Sequence, residues 1–540
     1  MQADSRKIIS ENIVADRSKL KIICVFLHRI YFGRIPYERQ YRGKKLKAMN
    51  ITELQQSYAS HPNVEGVCRL LKDNSVRHLY CGGLYASAAS LFSSVLVQRA
   101  TCPLVFILGD MEEAGYFYHD LTQILGTEQV LFFPSSFRRA IKYGQKDAAN
   151  EILRTEVLSR LQKGEEGLCV VTYPDALAEK VVSRKELGEN TLKLHAGERV
   201  DMNFVTDVLR SYGFEYVDYV YEPGQYAVRG SIIDVFSFSS EYPFRIDFFG
   251  DEVESVRTFE VETQLSKEKK ESIVIVPDLS HSLEKKGSGG MVSFLDFLPS
   301  DSLLAMRDFL WLRERIQTVH DESLTPQAIA ARESEENGAI TLEGKLIDGG
   351  EFTLRALDFR RMEFGNKPTG TPDATVSFHT TVQPIFHKNF DMVAESFREY
   401  LSRHYTIYIC SDSLKQTDRI RAIFEDRGDN ISFTAVERTL HEGFADDTLR
   451  ICVFTDHQLF DRFHKYNLKS DKARSGKVAL SLKELNQFTP GDYVVHTDHG
   501  VGRFTGLVRV PNGDTTQEVM RLVYQNDDCL LYTSPSPRDT

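Results

Sequence analysis

Between residues 78 and 182 the chain alternates short apolar runs with segments of helical periodicity. The runs Leu104–Leu108, Val130–Phe133 and Leu168–Tyr173 are as long as a strand and nearly free of polar residues, as strands buried on both faces are. Met111–Leu125 and Ala149–Leu161 predict intervening helices, each followed by a glycine. Strands alternating with helices predict a parallel, doubly wound α/β sheet.

Three further pattern changes follow along the chain. Residues 188–278 predict a small α+β domain, because one helical segment is followed by strands with tight turns between them. Residues 382–468 alternate again and predict a second α/β domain, whereas residues 491–524 contain only strand and turn signals, typical of part of a small β-barrel. Residues 295–378 show no clear pattern. The predicted fold class is α/β multidomain, with an α+β insertion and a C-terminal partial β-barrel.

The two ends differ in composition from the rest. Residues 1–48 hold 12 Lys/Arg against 4 Asp/Glu, in a chain whose net charge is −11. A targeting peptide or a nucleic-acid-binding arm is one interpretation; the one we favour is upstream sequence translated ahead of a start at Met49. Residues 529–540 (CLLYTSPSPRDT) look like translated sequencing adaptor, so we expect the native protein to continue beyond Asp528.

Composition excludes several classes of protein. The eight cysteines include no C-x-x-C pair, which argues against a disulfide scaffold and a thiolate zinc ribbon and fits a reducing, cytoplasmic setting. No apolar run approaches the roughly 18–20 residues that a membrane helix needs. The net charge of −11 argues against nucleic acid binding along the whole length.

The turn after the first predicted strand, 78–81, is where a nucleotide-binding α/β protein places its phosphate loop. Gly82 and Gly83 are present, but no lysine follows, and the pattern G-x-x-x-x-G-K-[ST] occurs nowhere in the sequence. We interpret this segment as an ordinary strand–helix turn; an anion bound at the helix N-terminus is the alternative. The sequence therefore predicts no catalytic residue, no metal site and no cofactor in this chain.

A more informative feature is one face of a predicted strand. Period-two alternation in 244–249 puts Arg245, Asp247 and Phe249 on one face and three apolar residues on the other. Arg229 can reach the same sheet, and arginines beside an aromatic ring are typical binding anchors. The alternative is a sheet covered on both faces, with Phe249 in a core and Arg245 paired to neighbours of Asp247. The pattern alone favours neither.

A basic segment provides a second candidate surface. Arg138, Arg139, Lys142 and Lys146 are interleaved with two aromatic residues and could contact a nucleic-acid backbone. A solvated basic loop is the commoner explanation of such a run.

Three stretches carry a resemblance to a known family. They are EPGQYAVRGSIIDVFSF (222–238), YPFRIDFFGDEVESVRTFEVETQ (242–264) and PGDYVVHTDHGVGRFTG (490–506). In this order they resemble the N-terminal half of the bacterial transcription-repair coupling factors (Mfd). The first two are shared in style with UvrB, and the third is similar to the CarD-like module that binds RNA polymerase.

The resemblance implies a domain layout. It begins after a non-native or disordered leader at 1–48 and ends before the adaptor-like tail at 529–540. The implied parts are a UvrB-like α/β domain in two segments, 49–187 and 279–378; a UvrA-binding insertion, 188–278; a third α/β domain, 379–475; and a truncated CarD/Tudor-like domain, 480–528. The UvrB-like sheet would be a degenerate P-loop-type sheet that has lost its nucleotide site.

The resemblance also implies partners and site residues. The family's UvrA-contacting Arg, Arg and Phe fall on Arg229, Arg245 and Phe249, and its polymerase-contacting apolar residue falls on Val510. UvrA and the β subunit of RNA polymerase are therefore the expected partners of a monomeric chain. The family's ATP- and magnesium-dependent DNA translocase motor lies downstream of the barrel, so we expect ATP hydrolysis and most DNA contact from the motor.

Two other functions fit parts of the same sequence. One is an ATP-using excision-repair protein like UvrB, against which the missing phosphate-loop lysine and the C-terminal barrel argue. The other is a stand-alone CarD-type transcription regulator, which requires the barrel to fold without further strands.

Overall fold

The computed structural model describes four sheets of four to seven strands, two short two-stranded sheets and the helices around them. The described residues are 48–136, 148–261, 263–278, 290–323, 344–462, 464, 466, 468, 491, 493–496, 500–512, 515–524 and 529–532. Among these residues, no helix combines the length and the apolar character needed to cross a bilayer.

The first sheet has seven strands, and all its neighbouring pairs are parallel. In spatial order the strands are Ala374–Ser377, His78–Gly82, Arg360–Gly365, Leu303–Met306, Leu104–Ile107, Cys169–Thr172 and Val130–Phe133. Every residue of the strand Leu104–Ile107 is buried, as expected of a central parallel strand. The strands predicted in 78–182 are confirmed to within one residue at each end, whereas three strands arise from 295–378, where no pattern was recognised.

Helices connect these strands. They are Ile51–Ala59, Pro62–Leu70, Ser87–Arg99, Met111–Leu125, Ala148–Lys163, Pro174–Ala178, Arg184–Glu189, Phe294–Phe297, Phe309–Ser323 and Gly349–Ala356. Met111–Leu125 has the predicted bounds: Asp110 accepts hydrogen bonds from the backbone N–H groups of Glu112 and Glu113, and Gly126 ends the helix at φ +82°. A short antiparallel pair, Val181–Val182 with Met291–Val292, lies where the chain leaves and re-enters this α/β domain.

The insertion contains the second sheet, which has six strands. Its spatial order is Ser266–Lys270, Glu252–Phe259, Phe244–Phe249, Ile232–Val235, Gln225–Arg229 and Glu215–Tyr216, and all pairs except the last are antiparallel. The helix Met202–Ser211 and the antiparallel pair Leu192–His195 with Ser272–Ile275 complete it. One face of the sheet buries Tyr226, Ile233, Ile246 and Val256 in a core of its own. The predicted α+β character is confirmed.

The third sheet belongs to the second α/β domain. Its order is Met49–Asn50, Thr434–Glu437, Thr406–Ser411, Ile451–Thr455, Phe444–Asp446 and Thr380–Val382, with helices Phe390–Ser402, Leu414–Asp426 and Asp456–Leu459. The first three strand pairs are parallel and the last two antiparallel. Met49–Asn50 reaches this sheet from the start of the chain's first α/β region.

The C-terminal sheet is antiparallel. Its strands are Tyr493–His496, Gly500–Asn512, Thr515–Val523 and Cys529–Tyr532. The strand Cys529–Tyr532 pairs with Met520–Val523, so residues 529–532 of the predicted adaptor-like tail take part in the sheet. Closure of these strands into a barrel stays a prediction.

The first and third sheets share one hydrophobic core. Val436, Leu440 and Phe444 of the third sheet region are buried in the same cluster as the first-sheet strands. At this junction the Tyr58 hydroxyl donates to Asp446 Oδ2 at 2.8 Å, and the Asp446 side chain is completely buried. The two α/β domains therefore adhere through apolar contact and through a buried carboxylate held from the N-terminal helices.

Four histidines gather at the same junction. His119 lies on the helix Met111–Leu125 of the first α/β domain. His441 and His457 belong to the second α/β domain, and His464 follows shortly after it in the chain. The His457 and His464 rings stack with centroids 4.4 Å apart, and the His119 ring lies 5.2 Å from that of His464. Burial, together with the neighbouring imidazoles, lowers the pKa of His119, His441 and His457 to about 4. The cluster is therefore neutral at pH 7.

Candidate functional site

The strand Phe244–Phe249 has the two faces that its alternation predicts. Phe244, Ile246 and Phe248 are buried, whereas Arg245 and Asp247 are only partly buried and Phe249 is exposed. The second face of the insertion sheet is therefore the one that carries the candidate residues. We call this surface the arginine face and define it by Arg229, Asp234, Arg245, Asp247 and Phe249.

Asp234 lies at the centre of the arginine face. It is directly opposite Arg245 on the neighbouring strand, and its strand also pairs with the one that ends at Arg229. Arg245 Nε donates to Asp234 Oδ1 at 2.8 Å and Arg245 Nη2 donates to Oδ2 at 2.9 Å, while Arg229 Nη2 also donates to Oδ2. Asp234 is only 1% exposed. One buried carboxylate thus holds both arginines.

The two arginines differ in what else they contact. Arg245 Nη1 donates to the carbonyl of Gln264 at 3.1 Å, its guanidinium lies 4.5 Å from the centre of the Phe259 ring, and its side chain is 15% exposed. The Arg229 guanidinium lies 4.9 Å from the Tyr219 ring centre and its side chain is 35% exposed. Arg229 is therefore the more accessible of the two.

Phe249 is the most exposed large apolar side chain among the described residues, at 80%. It ends its strand beside the turn at Gly250, whose φ of +62° suits glycine. The interpretation of Phe249 as a core residue is therefore wrong. The interpretation of Arg245 as internally paired is correct, although its partner is Asp234; Asp247 pairs instead with Arg257, at 3.0 Å.

Part of the arginine face is covered by the first α/β domain and by a loop of the insertion. Ile152, from the helix Ala148–Lys163, packs in a small cluster with residues from the same side of the insertion sheet. The other members are Val220, Ala227, Phe236, Phe238 and Phe259. This cluster seats the insertion sheet on the first domain and leaves the end that carries Phe249 open.

The turn at Gly82 and Gly83 is filled by the protein's own chain. Thr380 donates through its hydroxyl to the Gly83 carbonyl at 2.8 Å, and the backbone N–H of Phe378 donates to the Gly82 carbonyl at 2.8 Å. A Cβ atom at Gly83 would lie 2.0 Å from the Phe378 carbonyl oxygen. The glycine is thus needed for a close approach of two backbone segments.

The N-terminus of the next helix, Ser87–Arg99, is occupied as well. The Ser87 backbone N–H donates to the Glu442 carbonyl at 3.3 Å, and the Ser87 hydroxyl donates to Asp120 Oδ2 at 2.6 Å. Burial raises the pKa of Asp120 to about 6. The adjoining cavity, about 350 Å³, is lined by the carboxylates of Asp110, Glu112, Glu113, Asp120 and Glu442 beside Arg307. Such a cavity repels phosphate rather than holding it.

Arg138, Arg139, Lys142 and Lys146 lie outside the described residues. The backbone of Val510 lies in the long strand Gly500–Asn512, opposite Gln517. No group of three or more His, Cys, Asp and Glu side chains within the described ranges is arranged to hold a metal ion.

Two segments of the chain match known families. Residues 192–281 match the UvrB interaction domain, and residues 488–534 match the CarD-like/TRCF RID domain. The transcription-repair-coupling factor of Staphylococcus aureus (strain bovine RF122 / ET3-1) is 23% identical over 513 residues, and that of Bacillus subtilis (strain 168) is 22% identical over 526. The resemblance to the N-terminal region of the transcription-repair-coupling factors is confirmed. The chain spans less than half the length of these relatives: the alignments cover 83% of the chain but only 44% and 43% of the two coupling factors.

Asp234 was not among the predicted site residues. A signal exists, since Asp234 is the single acidic residue in the otherwise apolar strand Ile232–Val235, and an acid on a buried strand needs a cationic partner. The arginines on either side along the chain, Arg229 and Arg245, are the nearest candidates.

Proposed function

We propose that this chain is an adaptor that brings the repair protein UvrA to RNA polymerase stalled at DNA lesions. The observation that carries the proposal is Phe249, 80% exposed on the same face of the sheet as two arginines whose guanidiniums are held in place. The match to the UvrB interaction domain over 192–281 includes this whole face. Coupling-factor relatives that align along most of the chain support the same role.

Binding of UvrA would be anchored by the open end of the arginine face. An exposed aromatic ring gains free energy when it enters an apolar pocket, and arginines add charge-assisted hydrogen bonds to partner carboxylates. Arg229, with its side chain 35% exposed, can reach a partner while its Nη2 stays on Asp234. We assign the contacts to Phe249 and Arg229 first and to Arg245 through its remaining exposed area.

Polymerase binding would use the C-terminal sheet. The match of residues 488–534 to the CarD-like/TRCF RID domain supports it, and Val510 lies in its longest strand. We propose the β subunit as the surface bound and the cytoplasm as the place of action of a monomeric chain. Replacing Val510 by Arg should weaken capture of purified RNA polymerase, whereas Phe249→Ala should leave that capture unchanged.

The first α/β domain would then serve as a scaffold rather than as a nucleotide-binding module. Two observations support this role. The backbone N–H at the start of the helix Ser87–Arg99 is bonded to the Glu442 carbonyl, and the cavity beside it is acidic. ATP hydrolysis by the purified chain would favour the UvrB-like alternative instead. We also propose that a basic segment contacts DNA through Arg138, Arg139, Lys142 and Lys146. Replacing these four residues together should then weaken DNA binding.

The decisive experiment is a titration of the full chain with purified UvrA. Phe249→Ala should weaken binding by about 2 kcal/mol, or about thirtyfold, as truncation of an interface anchor does. Leu354→Ala is the matched control, because Leu354 is a large apolar side chain that is 71% exposed on a helix of the first domain. Equal affinity of the two variants would remove Phe249 from the interface, and no binding by the wild-type chain would overturn the proposal.

A further inference from the structure

We propose that Asp234 is a positioning residue for partner binding, fixing the guanidiniums of Arg229 and Arg245 in the arrangement that the partner recognises. This inference rests on the proposed function, since it takes UvrA as the partner. Asp234 is buried and cannot touch the partner itself. It would contribute to the affinity by holding the exposed arginines in place.

The register of three strands is the first argument. Asp234 sits on the strand between the strands of Arg229 and Arg245, so its carboxylate is reached from both sides. Both oxygens are used: Oδ1 accepts from Arg245 Nε, and Oδ2 accepts from Arg245 Nη2 and from Arg229 Nη2. A two-point contact fixes the plane of the Arg245 guanidinium as well as its position.

Charge is the second argument. Two guanidiniums that share one carboxylate carry a net charge of +1 together, and without the carboxylate they would repel each other. Arg245 also lies directly opposite Arg257 on the next strand, a like-charged pairing that is unfavourable by itself. Asp234 and Asp247, the latter paired with Arg257, are what allow three arginines to occupy one face.

Side-chain entropy is the third argument. A free arginine loses rotamer freedom when a partner orders it, and this loss weakens binding. Arg229 and Arg245 are ordered before any partner arrives, by Asp234 and by the Tyr219 and Phe259 rings beside them. Removing the carboxylate should therefore weaken binding even though every exposed residue remains in place.

The test compares carboxamide variants of two carboxylates of the insertion, each paired with arginine. Asp234→Asn should weaken UvrA binding by the full chain about tenfold, the scale of one anchoring contact. Asp207→Asn is the matched control: it removes an exposed carboxylate paired with Arg210 on the helix Met202–Ser211, which packs on the opposite face of the sheet, and leaves both proposed contact arginines on Asp234. Val235→Ala is a second control, because it cuts into the opposite, buried face of the same strand and should lower stability without lowering affinity.

Double variants separate positioning from mere folding. The loss from Asp234→Asn should largely disappear when Arg229 and Arg245 are already alanine, and should persist in full beside Phe249→Ala. Asp234→Glu keeps the charge and should restore part of the affinity; it also serves if the Asn variant does not fold.

The outcomes are distinct. If wild type binds and Phe249→Ala weakens binding but Asp234→Asn and Asp234→Glu bind as wild type does, the positioning role is overturned and the proposed function stands. A loss that is equal in Asp207→Asn, or that is unchanged when Arg229 and Arg245 are already alanine, also overturns it. Absence of UvrA binding by the wild-type chain overturns the proposed function and this assignment with it.

Discussion

The Tyr116 ring of the first α/β domain stacks on the imidazole of His441 in the second α/β domain, with 3.6 Å between ring centroids and 12° between ring planes. A cation forced into this position would lie among His119, His457 and His464, which burial also keeps neutral. The junction of the two domains is therefore built for uncharged imidazoles.

Stability should consequently fall with acid. A histidine whose pKa is about 4 in the folded chain and about 6.5 when unfolded binds its proton more tightly in the unfolded chain. Its contribution is complete above pH 6.5 and is lost progressively as the pH falls towards 4. We expect the urea midpoint to decrease over that range, with a shallower decrease in the double variant His119→Gln, His441→Gln.

Nearby carboxyl groups also affect this pH dependence, so the comparison must be between variants. Asp412 and Asp456 lie close enough to favour the charged imidazoles, and Asp120, with its pKa of about 6, acts in the opposite direction because the folded chain holds its proton more tightly. His195→Gln, at an exposed position, should keep the wild-type profile. An unchanged slope in the double variant would contradict the role given to the cluster.

Gly83→Ala should destabilise the protein by more than its backbone angle alone explains. Its φ is +76°, which costs a non-glycine residue about 1–2 kcal/mol, and the new Cβ would meet the Phe378 carbonyl oxygen at 2.0 Å. Gly230→Ala is the control, since its φ is +60° with nothing within 4 Å of a Cβ. Thermal unfolding measures both, and equal losses would show that the contact with Phe378 relaxes freely.

Ser87→Ala should cost about 1–3 kcal/mol, because it removes a hydroxyl that donates to buried Asp120 and accepts from the Glu442 N–H at 3.0 Å. The pKa of Asp120 should rise further once this donor is lost, which NMR titration of the carboxyl carbon would detect. Ser57→Ala, whose hydroxyl is exposed and bonds only within its own helix, should change stability by less than about 0.5 kcal/mol.

Phe249→Ala should leave the free energy of unfolding within about 0.5 kcal/mol of wild type, because the ring is already 80% exposed. Ile246→Ala, on the buried face of the same strand, should lose about 2–5 kcal/mol. Chemical denaturation of both variants checks the pair. A large loss in Phe249→Ala would mean that the ring packs in the folded chain.

Prediction from sequence succeeded where burial produces a recognisable pattern of apolar residues. The continuous apolar runs Leu104–Leu108 and Leu168–Tyr173 identified two strands in the interior of the first sheet. Ala374–Ser377 is a half-exposed edge strand and Arg360–Gly365 begins with two arginines, so neither resembles a buried strand. On the arginine face, alternation identified which side chains share a face. It could not tell whether that face is covered, because the cover comes from Ile152, far away in the chain.

The hydrogen bonds of Asp234 could not be predicted from the sequence for a related reason. They depend on the register of three strands, which sets Asp234 opposite Arg245 rather than opposite its neighbour. A slip of one residue would turn the carboxylate to the other face of the sheet. Register is set by the whole hairpin and its turns, and local pattern does not determine it.

Because Val436, Leu440 and Phe444 share a core with the first sheet, and Met49–Asn50 adds an edge strand to the third, the sequence boundary near residue 379 does not divide two units of folding. Neither half could be excised without exposing apolar surface to water. A protease that cuts between them should release no stable piece, and the two α/β domains should melt in a single calorimetric transition, so that a pull on one is carried rigidly to the other.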